Sequence, residues 1–195
     1  SLLPGCVEMG KDSLCVNPEQ NSIATTFDRA IIDTADSLTA VKKLVFDERK
    51  LTMEELMEAL DSNFDGERGE EIRQMCLAAP KFGNDIDEAD WMVRDMGAFS
   101  ASVADSDKPE DSVPWGTQRH GSAWNYFGGK AVGALPDGRK AGEPLNDGSI
   151  SPMRGQDKLG PTTTLKSVLK AGWEEAPMVV LNQKFSATLM QSPES

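Results

Sequence analysis

Gly133-Ala134-Leu135-Pro136-Asp137-Gly138-Arg139-Lys140-Ala141-Gly142-Glu143-Pro144-Leu145 is the stretch on which the fold of this chain turns. Proline presets φ and glycine accepts conformations closed to other residues, so Pro136-Asp137-Gly138 predicts a tight turn. The residues before it, Lys130–Leu135, read as a strand that ends in this turn. The residues after it, Gly142–Gly160, are rich in Gly, Pro, Asn and Asp and predict a long loop, a kind of segment that often carries function.

Working outward towards the C-terminus, Pro161 at a first helical position and Gly172 just past an end frame a helix over Thr162–Ala171. Met178–Leu181 is a short apolar run of the buried-strand type. Towards the N-terminus, the polar run Asp105–Ser112 predicts an exposed loop. Before it, Asp85 and Glu88 start a long helix with Ile86, Ala89, Met92, Val93, Met96, Phe99 and Val103 at helical spacing. Gly69–Ala79 is a further helix, stopped by Pro80. Thr52-Met53-Glu54-Glu55 is a capping box opening a helix with Leu56, Met57 and Leu60 inward. Asp33 or Thr34 caps the first helix, which runs to about Phe46 with Leu38, Val41, Leu44 and Val45 on one face. The first 34 residues read as loop and short turns. The expected organisation is a single partial domain over 1–195: a mainly helical part, 1–104, an exposed loop, 105–118, and a strand and loop part, 119–195.

The chain has 195 residues and a formal net charge of -12, which disfavours contact with a phosphate backbone. No nucleic-acid or membrane partner is expected, since no apolar run reaches the roughly 18 residues of a membrane helix. Three cysteines without a paired pattern point to a reducing, cytoplasmic setting. A single histidine, His120, excludes a multi-histidine metal site within the chain, and no metal is expected. With no carboxylate near it in sequence, His120 reads as a hydrogen-bonding loop residue rather than a general base. Asp61-Ser62-Asn63-Phe64-Asp65-Gly66 opens like a calcium loop, but its twelfth position is Ile72 where a bidentate Glu is required. A polar turn between two helices is the better reading.

The segment Gly133–Leu145 resembles the Gly-Ala-x-Pro-Asp-Gly-Arg stretch of glycyl radical enzymes, the pyruvate formate-lyase and glycerol dehydratase type. Asn146-Asp147-Gly148-Ser149-Ile150-Ser151-Pro152 continues the resemblance, as do Asp157-Lys158-Leu159-Gly160-Pro161-Thr162, Leu165-Lys166-Ser167-Val168 and Leu181-Asn182-Gln183-Lys184-Phe185. Ala35-Asp36-Ser37-Leu38, Lys42-Lys43-Leu44-Val45 and Ala79-Pro80-Lys81-Phe82-Gly83-Asn84-Asp85 agree in the same order. Residues 13–29 depart from the family pattern.

Two shorter matches bear on the radical residues. Gly5-Cys6-Val7-Glu8 looks like the family's catalytic loop, in which a cysteine becomes a thiyl radical beside an acid–base glutamate. However, Cys6 precedes Ala35 by only about 30 residues, where the family places well over a hundred. Ser1-Leu2-Leu3 with Cys6-Val7-Glu8-Met9-Gly10-Lys11-Asp12 fits a different family segment at the shorter distance, so Cys6 reads as structural. Arg94-Asp95-Met96-Gly97-Ala98-Phe99 only faintly resembles the Arg-Val-x-Gly-Tyr radical loop and lies in a helical pattern. The expectation is an internal segment of such an enzyme, without the radical glycine and with no catalytic residue of its own.

The resemblance implies an α/β fold: part of a ten-stranded barrel, its second half-barrel, with outer helices. It implies an activase partner that uses S-adenosylmethionine and a 4Fe–4S cluster to install the glycyl radical, a small organic substrate, homo-oligomerisation of the parent enzyme, and no cofactor held by these residues. By position, Ala123-Trp124-Asn125-Tyr126-Phe127 matches a strand bordering the active site, which makes Trp124, Asn125, Tyr126 and Phe127 candidate substrate-pocket residues. Their aromatic character and the phrase Leu145–Met153 lean towards arylalkylsuccinate synthases or arylacetate decarboxylases. Ordinary core packing is the competing reading of the aromatics. Arg139 is expected to brace its turn. The expected function is radical C–C, C–O or C–N bond chemistry within the complete enzyme. The alternative is a non-catalytic scaffold or interaction protein derived from the same fold.

Overall fold

A computed structural model of the chain describes residues 24–27, 30–106, 115–119, 124–147, 150–172 and 178–179. In chain order these are strand β1 (Ala24–Phe27), helix α1 (Ile31–Val41) running into a π-helical turn (Lys42–Asp47), α2 (Met53–Asp61), α3 (Gly66–Ala78), α4 (Asp87–Ser106), strand β2 (Trp115–Arg119), α5 (Trp124–Ala131), α6 (Pro161–Lys170) and strand β3 (Met178–Val179). The three strands form one parallel sheet in the order β1-β2-β3, with Ala24 opposite Trp115 and Gln118 opposite Met178. Parallel neighbours need long crossovers, and helices occupy both of them here.

The local signals explain most helix boundaries. The Thr52 hydroxyl accepts from the Glu55 N–H at 3.1 Å, while the Glu55 carboxylate accepts from the Thr52 N–H at 2.8 Å. This reciprocal cap starts α2. Pro161 opens α6, and Gly172 follows its end with φ of 63°. The calcium-like stretch is the turn joining α2 to α3. Asn63 and Phe64 both take left-handed φ there, Phe64 is buried, and Ile72 packs with it.

Several expectations are corrected. Asp33 and Thr34 do not cap α1 but lie inside it, because the helix already begins at Ile31 after a left-handed Ala30. The α4 helix starts at Asp87 rather than Asp85, whose positive φ of 58° keeps it outside. The first 34 residues include β1, so they are not all loop, and the segment expected as exposed loop over 105–118 holds the end of α4 and part of β2. No strand forms over Lys130–Leu135, since α5 runs through Ala131 and its carbonyls turn inward to an arginine described below. Trp124–Phe127 are likewise helical rather than extended. Gly129 makes this geometry possible, because a β-carbon there would lie 2.8 Å from the Pro144 Cα. Leu38 and Met57, expected inward, are exposed, as are Phe99 and Val103 at the far end of the α4 stripe.

Two apolar cores flank the middle of the molecule. One gathers Ile31, Ile32, Ala35, Phe82, Val93, Ile150 and Ala171. The other gathers Leu44, Leu51, Leu56, Ala59, Phe64, Ile72 and Cys76. Helix α1 enters the first near its start, while Val41 at its end and Leu44 in the π-helical turn reach the second. Its Asp33, Asp36 and Thr39 are buried too, so α1 brings charge inside along with apolar surface.

Candidate functional site

The motifs that lie far apart in sequence converge on one polar hub. Asn84 is its knot. The Asn84 Nδ2 donates to the carbonyls of Lys81 at 3.2 Å and Gln156 at 2.7 Å, and its Oδ1 accepts from the N–H groups of Lys158 at 2.8 Å and Leu159 at 3.3 Å. The Pro80–Asp85 stretch and the Asp157–Gly160 stretch are therefore fastened by one side chain. Gly83 beside it has φ of 94°, and a β-carbon there would lie 2.5 Å from Pro152. Thr164 of α6 donates to the Gly83 carbonyl at 3.2 Å.

Behind the Pro136–Arg139 turn sits a set of buried charges. Arg139 is 2% exposed. Its Nε donates to the Glu143 carbonyl at 2.9 Å, Nη1 to Gly133 at 2.7 Å, and Nη2 to Gly129 and Glu143, both at 2.6 Å. Carbonyls at a helix C-terminus lack intrahelical partners and carry partial negative charge, so the guanidinium at the end of α5 satisfies both needs. The arginine thus braces the turn and the loop after it.

Lys81 does the same for α3. Its Nζ donates to the carbonyls of Cys76 at 2.6 Å and Ala79 at 3.2 Å.

Three buried carboxylates face these two cations. Asp36 accepts from the Phe82 N–H at 2.9 Å, Asp33 from the Asn146 N–H at 2.8 Å, and Asp137 from the Arg139 N–H at 2.8 Å. Burial pushes the Asp33 carboxyl up to about 7 and that of Asp137 up to about 6. Burial also raises Asp36 and lowers Lys81. The Cys76 thiol is pushed up to about 11 by burial, so it is neutral and inert rather than a nucleophile. A cavity of about 330 Å³ borders the set, with Asp33, Arg139, Asn146, Gln156, Arg73 and Arg154 among its walls.

The sequence-predicted pocket residues are placed elsewhere, on α5. Trp124, Tyr126 and Phe127 are 55%, 49% and 61% exposed, so they are not core here. Tyr126 and Phe127 meet edge-on at 5.7 Å, and the Lys130 ammonium lies 4.5 Å from the centre of the Tyr126 ring. The Asn125 carbonyl accepts from the Leu145 N–H at 3.0 Å, and its side-chain oxygen accepts from the Tyr126 N–H at 2.9 Å. The structure does not bring α5 aromatics and cavity together through a shared lining residue. Cys6, Glu8 and His120 lie outside the described residues. Arg94–Phe99 is an interior stretch of α4.

Sequence reasoning missed Asp33, Asp36 and Lys81. The signal available was the i, i+3 spacing of two carboxylates among apolar residues, which places both on one helix face. Among the described residues no group of three His, Cys, Asp or Glu side chains is arranged to hold a metal ion. No helix among them is long and apolar enough to cross a membrane.

The profile of the pyruvate formate lyase-like family matches residues 1–111. Isethionate sulfite-lyase of Oleidesulfovibrio alaskensis is 38% identical over 162 residues, which cover 82% of this chain and 19% of that protein. Trans-4-hydroxy-L-proline dehydratase of Clostridioides difficile is 32% identical, with 98% of this chain and 24% of that one covered. The glycerol-bound B12-independent glycerol dehydratase of Clostridium butyricum superposes with a TM-score of 0.78 at 34% identity, over 98% of this chain and 24% of the dehydratase. Indoleacetate decarboxylase of Tractidigestivibacter scatoligenes, of the arylacetate type, is more distant at 29%. The chain spans about a fifth to a quarter of the length of these relatives.

Proposed function

Because the chain belongs to the pyruvate formate lyase-like family, whose relatives are glycyl radical enzymes, we propose that these residues are part of a glycyl radical enzyme barrel. In this reading they supply scaffold for an enzyme that eliminates a substituent from a small organic molecule by a C–O or C–S cleavage. The carrying observation is that a sulfite-lyase and two dehydratases resemble the chain at 32–38% identity, above the arylacetate decarboxylase. This order of similarity favours elimination over an aryl substrate.

The three parallel strands are segments of the ten-stranded barrel in this proposal, and the helices are its outer layer. The radical would be installed by an activase that uses S-adenosylmethionine and a 4Fe–4S cluster, and the working enzyme would be a cytoplasmic homo-oligomer. Radical chemistry needs walls that exclude water and hold the substrate near attack geometry. The exposed aromatic face of α5, with Trp124, Asn125, Tyr126 and Phe127, is the candidate wall. The hub behind Arg139 keeps α5 in place.

The test is anaerobic activation of the full polypeptide by its activase, followed by electron paramagnetic resonance and product analysis. The substrates are isethionate, trans-4-hydroxy-L-proline, glycerol and indoleacetate. A glycyl signal and turnover of one of the first three is the expected result. A signal with decarboxylation of indoleacetate would sink the substrate class, and no signal would sink the enzyme reading in favour of a non-catalytic scaffold.

A further inference from the structure

We propose that the buried set behind the Pro136–Arg139 turn holds one structural proton, shared between the carboxyls of Asp33 and Asp137, and that this proton latches helix α1 to the turn. The oxygens decide the placement. Asp33 Oδ2 accepts from the Asn146 N–H, and Asp137 Oδ1 accepts from the Arg139 N–H. The remaining oxygens, Asp33 Oδ1 and Asp137 Oδ2, are both buried and have no donor. With a proton on Asp33 the two carboxyls can hydrogen-bond to each other. Two carboxylates cannot do so without a proton between them, since each is acceptor-only when ionised. One proton satisfies both orphaned oxygens.

Charge balance gives the same answer independently. Asp36 and Lys81 sum to zero whether both are ionised or both are neutral. The remaining buried charges are Asp33, Asp137 and Arg139, which sum to minus one without a proton and to zero with it. An uncompensated charge in a site this buried is costly, so the balanced form is favoured. The other groups facing the pair are neutral or lie nearer solvent, which screens their charge. The Cys76 thiol from α3 is neutral. Arg73, Glu143 and Arg154 stand on the cavity side, where Arg73 hydrogen-bonds to the Gly138 carbonyl and to Glu70. Lys158 acts on Lys81 from the following loop.

The sign of the pH response follows. Both carboxyls titrate higher in the folded protein than in an unfolded chain, so the native state binds the extra proton between about pH 4 and about 7. The stabilisation from this proton is fully present below about pH 4 and is lost as pH rises through about 7. Deprotonation leaves two carboxylates in repulsion across the joint between α1, the turn and Asn146. The latch therefore opens with rising pH, on the side where the cavity lies.

Hydrogen exchange of the full polypeptide, read over the peptides covering 129–147 and corrected for intrinsic exchange rates, tests this. The opening constant should rise by up to about tenfold per pH unit near neutrality. In Asp33→Asn the amide replaces the carboxyl O–H as donor, so the rise should vanish over those peptides. Asp137→Asn is the second variant if the first does not fold. Infrared spectra of carbon-13 aspartate-labelled wild-type protein at neutral pH should contain a protonated-carboxyl stretch that either variant removes. Parallel pH profiles for wild type and variant, or a protonated-carboxyl stretch unchanged by either variant, would overturn the proposal.

Discussion

The apolar face of the α2–α3 hairpin and the charge set behind Arg139 are both buried, yet they hold together by different physics. In the hairpin, Leu56, Ala59, Phe64 and Ile72 pack against each other, and the energy is spread over many weak contacts. In the charge set, Asp33, Asp36, Lys81, Asp137 and Arg139 depend on a few hydrogen bonds of fixed direction. An apolar core fails gradually as methyl groups are removed. A buried charge set fails at once when one member goes, because the partners stay behind uncompensated.

Substitutions at three positions break or sharpen that contrast. Arg139→Ala should have the largest effect, about 4 kcal/mol, since it strands the Asp33 and Asp137 carboxyls and the carbonyls of Gly129, Val132, Gly133 and Glu143. Arg139→Lys should recover only part of this, because an ammonium cannot reproduce the fork that reaches Gly129, Gly133 and Glu143 together. The check is the hydrogen-exchange opening free energy of 129–147 in the full polypeptide. If lysine restores it fully, the geometry of the fork is not what matters. Leu56→Ala should cost about 3 kcal/mol by leaving a cavity, read as lost protection in α2 and α3. A loss confined to the hairpin would show that the two regions are independent, while loss of protection at 129–147 as well would join them. Thr52→Ala should cost about 1 kcal/mol, localised to the first turn of α2, and Thr52→Ser should restore it.

The same contrast explains what could be read from the sequence. Helix α2 announced itself, because Thr52 and Glu55 are a local cap and Leu56 and Leu60 a local stripe. So did α6, between Pro161 and Gly172. The turn at Pro136-Asp137-Gly138 was equally local. The charge set was not legible, because burial of Asp33 and Asp36 depends on Phe82, Asp137 and Asn146, which lie 46 or more positions away. Asp33 looked like a cap because an isolated Asp before an apolar stripe usually is one. The α5 segment misled for a related reason. Its extended reading came from its position against a family strand, but the close approach of Gly129 to Pro144 and the pull of Arg139 on the carbonyls favour helix. The family resemblance located the motifs correctly in order, although it did not say that they meet around Asn84.

The Asn84 knot also sets an order of events during folding. Its bonds to Gln156, Lys158 and Leu159 close loops of 72 to 75 residues, whereas the contacts of α2 with α3 close short ones. Long closures are slow to find because chain entropy is lost before any contact forms. As the chain leaves the ribosome, α1, α2 and α3 can therefore collapse while residues 137–159 are still unmade. During that interval Asp33 and Asp36 have no partners from the later segments and remain hydrated. Joining the turn to α1 is then a late, desolvating step, and the nascent chain is most exposed to misfolding just before Asn84 finds Gln156.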